Sequence, residues 1–157
     1  MERVQGLVSE DIDLLLLGGN CSTTIQSNRT GKRFTYLIQV RLDEDRKRIP
    51  GDEQVYFIKV DRGNFDFIYA GMLKVNFSTK EIQYSRGRKG NLDMNDLSIK
   101  ALTWVIKRSL TGGNTDEISV YHMGKCGVCG RRLKDPISIQ TGLGPKCGGR
   151  LGRNKAM

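Results

Sequence analysis

The sequence predicts an α+β fold, an antiparallel β-meander packed by one helix, followed by a small C-terminal zinc-binding module. Three observations carry that prediction. Between residues 23 and 84, apolar and aromatic side chains alternate in short runs separated by turn residues, the period-two pattern of strands with one buried face. A single amphipathic run, Asp93 to Leu110, comes after them. Residues 122 to 157 then hold the chain's only histidine and three of its four cysteines. No crossover helix separates the strands, which excludes a parallel nucleotide-binding sheet. A chain of 157 residues with 38% apolar side chains supports one modest core. The expected division is a meander-plus-helix domain over 1–114 and a basic zinc module over 115–157.

The elements follow in order. Ser9 as an N-cap residue, acids in the next turn, Leu14 to Leu17 and the Gly18-Gly19 stop predict a short helix. Thr23 to Gln26 and Arg33 to Arg41 read as strands around Ser27 to Gly31, with Phe34, Tyr36, Ile38 and Val40 on one face. Leu42 to Glu53 is a polar loop, and Val55 to Val60 is the next strand. Asp61 to Asn64 turns the chain. Phe65, Phe67 and Tyr69 alternate, as do Leu73, Val75 and Phe77, and Ile82 and Tyr84 close a hairpin through Ser78-Thr79-Lys80. The expected meander has five or six strands. In the helix, Asp93 is the expected N-cap, Leu97, Ala101, Trp104 and Val105 the expected apolar face with Trp104 as a core anchor, and Gly112-Gly113 the stop.

His122, Cys126, Cys129 and Cys147 form an H-x3-C-x2-C-x17-C array. Zinc takes four nitrogen or sulfur ligands tetrahedrally, and a C-x2-C turn converges two thiolates on one ion while a distant pair completes the shell. Four protein ligands leave no position for water, so the array predicts one structural Zn2+ rather than a hydrolytic one. A redox pair is the alternative for C-x2-C, but Cys126-Gly127-Val128-Cys129-Gly130 is a Gly-rich turn and not the start of a helix after a strand. Cys21 stands as the substitute fourth ligand, or as a buried thiol that packs like a small hydrophobe. Met1 to Asp13 carries acids and no apolar run, so no signal peptide is expected, and the expected compartment is reducing cytoplasm.

Net charge is +9, unevenly spread. Residues 1 to 121 carry eighteen basic and sixteen acidic side chains; residues 122 to 157 carry eight basic residues and only Asp135. Lys125, Arg131, Arg132, Lys134, Lys146, Arg150, Arg153 and Lys155 are interspersed with the ligands, and folding around a metal would gather them into a footprint that meets phosphate. Equally, a small metal module has almost no interior and stays soluble by charge. Arg86, Arg88 and Lys89 in the Gly-rich stretch Ser85 to Asn91 are further candidates for nucleic-acid or partner contact; a triphosphate loop is excluded by the missing Lys-Ser/Thr pair. With His122 assigned to metal no histidine base remains, and there is no G-x-S-x-G elbow. Asp43, Asp45, Asp61 and Asp66 could gather a divalent cation, but acids in loops are ordinarily turn residues. The expectation is a protein without enzymatic activity.

Cys126-Gly-Val-Cys-Gly-Arg-Arg-Leu-Lys-Asp-Pro-Ile-Ser138 followed by Thr141-Gly-Leu-Gly-Pro-Lys-Cys-Gly148 resembles a small zinc module of unassigned function found in phage and bacterial proteins. The likeness covers about 25 residues position by position, and Gly31-Lys-Arg-Phe-Thr-Tyr36 resembles a stretch that often precedes the module. The resemblance implies a phage-type accessory protein acting in the cytoplasm of a bacterium or infected host, and no agreed activity. Two functional readings follow. One is direct binding of DNA or RNA through the basic zinc module. The other is a protein-binding inhibitor or regulator of a host defence (anti-CRISPR-like), transcription or replication complex, with basic charge meeting an acidic surface or a bound guide strand.

Overall fold

The computed structural model describes residues 6–8, 11–130, 132, 142 and 143. The expected Ser9 cap and the expected metal ligand Cys147 lie outside the described residues, as do Arg131, Lys134, Lys146, Arg150, Arg153 and Lys155. The described residues fold as an α+β structure with seven strands in one antiparallel sheet and two helices. The strands are β1 (Gly6–Val8), β2 (Asn20–Ser27), β3 (Arg33–Val40), β4 (Glu53–Asp61), β5 (Phe67–Asn76), β6 (Glu81–Ser85) and β7 (Ile118–His122); the helices are α1 (Ile12–Leu16) and α2 (Leu97–Leu110). Strands β2 to β6 form the expected meander. The spatial order β1-β7-β2-β3-β4-β5-β6 adds two strands to it. Strand β7 pairs with β1 on one side, Leu7 opposite Tyr121, and with β2 on the other, Thr23 opposite His122. Residues 118–122, which the sequence reading places in the zinc module, therefore lie within the sheet.

Alternation decides which face is buried. Tyr36, Ile38, Tyr56, Ile58, Val60 and Val120 are all at or below 2% exposure, and they meet the apolar stripe of α2, where Ile99, Leu102, Val105 and Ile106 are equally buried. Two tyrosine hydroxyls tie the helices to this face: Tyr36 donates to the Ser98 carbonyl at 2.6 Å and Tyr56 to the Leu17 carbonyl at 2.8 Å. Burial pushes both phenols above the ordinary tyrosine range, Tyr36 with a further push from the Asp96 carboxylate and Tyr56 to about 12 against the opposing pull of the Arg48 guanidinium. The Arg48 guanidinium donates to the Gly18 carbonyl and so holds the 41–52 loop on the end of α1. Ser109 joins the helices, accepting from the Asp13 amide at 2.8 Å and donating to the Asp13 carboxylate at 2.9 Å.

The aromatic alternation in β5 resolves differently from expectation. Ile58 pairs with Gly71 and Lys59 with Tyr69, so Ala70 is an extra residue, a β-bulge that exchanges the two faces of the strand. Upstream of the bulge Ile68 and Ala70 face the core; downstream Leu73 and Val75 do. Phe67 and Tyr69 fall on the opposite face, where Tyr69 stands 6.3 Å from Phe57, and Phe65 is 52% exposed in the turn. At Gly71 a Cβ would come within 2.5 Å of the Tyr84 hydroxyl and 2.6 Å of the Ser85 carbonyl, so the bulged strand needs glycine there.

The N-cap of α2 is Asp96, not Asp93. Its carboxylate accepts from the Ser98 amide at 3.0 Å, whereas Asp93 accepts from Asn95 in the preceding turn. The buried stripe is Ser98, Ile99, Leu102, Thr103, Val105 and Ile106, so Val105 faces the core as expected while Leu97 is 56% exposed. Trp104 is half-buried at the margin of the core with the Arg108 guanidinium 5.0 Å from its ring centre, a partial core role rather than the expected anchor. Gly112, at φ 72°, ends the helix as expected. Asp96→Ala should cost about 1 kcal/mol of stability, read as a lower urea midpoint with unchanged slope; Asp93→Ala should cost less.

Candidate metal centre and basic surface

Strand β7 delivers His122 to the end of the sheet, and the next eight residues turn back over α1 and the start of β2. Asn20 donates to the Gly127 carbonyl at 2.8 Å, and Gly127 donates to the Gly142 carbonyl at 3.0 Å. Gly18 lies so close to Gly127 and Val128 that a Cβ there would meet both at 2.8 Å. Cys126 and Leu143 are 1% exposed and form a small apolar cluster with Leu14 and Val128. The C-x2-C turn thus rests on α1 through packing of its own.

Within that turn the Val128 amide donates to Cys126 Sγ at 3.4 Å, and Gly130, at φ 76°, donates to the Cys126 carbonyl at 2.9 Å. Lys125 and Arg132 form an isolated antiparallel bridge that closes the loop. An amide directed at a cysteine sulfur favours the thiolate, the form that binds metal. Cys126 is buried and Cys129 exposed. His122 is fully buried, and its Nδ1 accepts from the Gly124 amide at 2.9 Å. A neutral imidazole that accepts at Nδ1 carries its proton on Nε2. Ligation through Nε2 therefore needs the other tautomer, and the Gly124 amide would give up this acceptor. Among the described residues, no three His, Cys, Asp or Glu side chains are gathered as a metal site would gather them; Cys147 lies outside the described residues. Cys21 is buried in the main core, and burial first, then the neighbouring Cys126, pushes its thiol well above the ordinary cysteine range.

The basic candidates separate. Lys125 and Arg132 are exposed on the turn next to β7. Arg86, Arg88 and Lys89 are exposed on the turn after β6, at the opposite edge of the sheet. Five strand spacings divide β7 from β6, about 24 Å, so the two groups do not share one patch. The Arg86–Gly90 turn serves the fold: it returns the chain so that Asn91 and Leu92 donate to the Tyr69 and Ala70 carbonyls. The loop acids are turn residues as well. Asp43 accepts from the Asp45 and Lys47 amides, and Asp61 from Gly63. Among the described residues no helix is long and apolar enough to cross a membrane.

Residues 119–152 match a family model described as a family of unknown function, DUF6011. The match begins inside β7 and runs through the C-x2-C turn, so this part of the chain is similar to that family. No curated protein and no solved structure matches the chain.

Proposed function

We propose that the chain is a non-enzymatic, phage-type accessory protein that binds nucleic acid through a basic C-terminal module built on one structural zinc ion. Cys126, Cys129 and Cys147 would hold the ion with His122, or with Cys21 in its place. The observation that carries the reading is the Cys126 turn. A backbone amide on the sulfur, a left-handed Gly130 and the Lys125–Arg132 bridge make a loop of the kind that presents two thiolates to one metal. The donor set supports zinc: three soft thiolates, plus an imidazole or a fourth thiolate, suit tetrahedral coordination with no open position. When bound, zinc supplies folding energy and no reaction. Around it the sequence places eight cations against one acid, and Lys125 and Arg132 are already displayed on the turn.

Cations that neutralise phosphates release counterions, which makes affinity salt-dependent and largely independent of sequence. If Arg131, Arg132, Lys134, Arg150 and Arg153 each take one phosphate of duplex DNA, the slope of log affinity on log salt is about −4.5, a loss of roughly 500-fold between about 50 and 200 mM. The test is a titration of short single- and double-stranded DNA and RNA at two salt concentrations, beside a variant with Arg131 and Arg132 replaced by alanine. The variant should lose about two units of slope on duplex DNA. Millimolar, salt-insensitive binding by both proteins rejects the reading.

A further inference from the structure

Helix α2 has an outer face that the core does not use. Leu97 is 56% exposed and Met94, just before the helix, 46%. Trp104 lies between two grooves that flank the helix, and it lines both together with Lys100. The groove toward β6 has a volume of about 650 Å³, with Tyr84, Lys107 and Arg108 in its walls. The groove toward the β2–β3 turn has about 410 Å³, with Arg29, Lys32 and Phe34 in its walls. Together they carry five cations and one carboxylate, Glu117. Among the described residues none of the five cations makes an ion pair; Lys107 donates to the Lys80 carbonyl. A face that is only solvated scatters its apolar residues singly, whereas apolar residues grouped in grooves mark a contact surface. Here the Trp104 indole on the helix and the Tyr84 and Phe34 rings on β6 and β3 are partly exposed between cations, beside the roughly 16 Å of helix from Leu97 to Arg108.

We infer that α2 and its two flanking grooves form a binding track for single-stranded nucleic acid. Unpaired bases offer flat apolar faces to Trp104 and its neighbours, while Lys32, Lys100, Lys107 and Arg108 meet the phosphates. Arg108 already lies over the indole, so it can yield to a stacked base or hold a phosphate beside it. A duplex hides its base faces and lacks this fit. The inference deepens the nucleic-acid reading by naming the strand state, and it adds a surface separate from the C-terminal module.

Trp104 is the chain's only tryptophan, so its fluorescence reports on the track directly. The experiment titrates the full chain with oligo(dT), oligo(U), a DNA duplex of the same length and poly-glutamate. It follows Trp104 emission together with the anisotropy of labelled oligonucleotide. The single strands should quench Trp104, and the duplex should not. Lys100→Ala and Arg108→Ala, at exposed positions, should each lower the single-strand salt slope by about 0.7. Trp104→Ala should weaken binding roughly ten-fold or more and Trp104→Phe less, both read by anisotropy. Quenching should survive replacement of Arg131 and Arg132. Oligonucleotide binding with Trp104 unperturbed, and with Lys100→Ala and Arg108→Ala silent, overturns the track and leaves the C-terminal reading standing. Absence of any oligonucleotide binding overturns both. An equal response to poly-glutamate overturns the track in favour of an acidic protein surface.

Discussion

Replacing Cys126 or Cys147 with serine should remove stoichiometric zinc from the chain and unfold the segment beyond His122, while the sheet remains. Structural zinc contributes on the order of 10–16 kcal/mol in small modules that have no core of their own. Here the local core beyond β7 is small: among the described residues Cys126 and Leu143 are buried there, with Leu14 and Val128 against them. Those contacts hold the turn on α1, but on the order of 2 kcal/mol per buried side chain does not replace a metal. Metal analysis should give one zinc per purified chain. Cys21→Ser and His122→Ala then identify the fourth ligand. If His122 is the ligand, Cys21→Ser keeps zinc and loses about 1–3 kcal/mol for a hydroxyl buried in the main core. If Cys21 is the ligand, the outcome reverses, and the Gly124 amide keeps its acceptor on His122 Nδ1 in the zinc-bound chain. Retention of full zinc by Cys126→Ser would falsify the metal assignment outright. Chelation should leave Trp104 emission native, because the indole lies on α2 at the margin of the core. A shift to the emission of an unfolded chain would mean that the metal supports the whole fold.

Where one physical signal dominated, the fold was legible. Strands β2, β3 and β4 and the β5–β6 hairpin follow from alternation and turn residues, and α2 from its apolar period and glycine stop. The misreadings share a cause: a local pattern has more than one phase. In β5 a one-residue bulge at Ala70 moved the core from the aromatic parity of Phe67 and Tyr69 to Ile68 and Ala70; Gly71 is the residue that hints at a bulge, but it does not say which parity is buried before it. In α2 both Asp93 and Asp96 can cap. Two apolar stripes also compete: Leu97, Ala101 and Trp104 recur at helical spacing, but so do Ile99, Leu102 and Ile106, which take the core and turn Leu97 outward. That displaced apolar stripe is what lines the two grooves. Strand β7 escaped notice for a different reason. Ile118, Val120 and His122 alternate properly, but the histidine's place in the cysteine array drew the segment into the module. The C-x2-C turn itself was legible, because glycine before Val128 and after Cys129 permits the tight loop, left-handed at Gly130, that is present.

A fragment ending at Asn114 should fail to fold, and one ending at Met123 should fold without zinc. Strand β7 lies second in the sheet, so cutting before it removes five register pairs with β2 and leaves β1 with no partner, since β1 pairs only with β7 among the described strands. Val120 leaves the core with its full burial, about 2 kcal/mol, and Ile118 with part of its own. Strand β2 becomes a long edge whose unpaired amides and carbonyls, from Thr23 to Ser27, face water or another chain. Against a total stability of roughly 5–15 kcal/mol these losses are decisive. The longer fragment restores β7, including the Thr23 hydroxyl's bond to the Tyr121 carbonyl at 2.8 Å, and lacks every thiol except Cys21. Its stability is therefore a measure of the sheet alone. Far-ultraviolet circular dichroism, Trp104 emission and urea unfolding of the two fragments, each with chelator, decide the matter. A cooperative transition and native Trp104 emission from the shorter fragment would mean that the five-stranded meander and α2 fold by themselves, and that β7 is joined to a finished core rather than completing it.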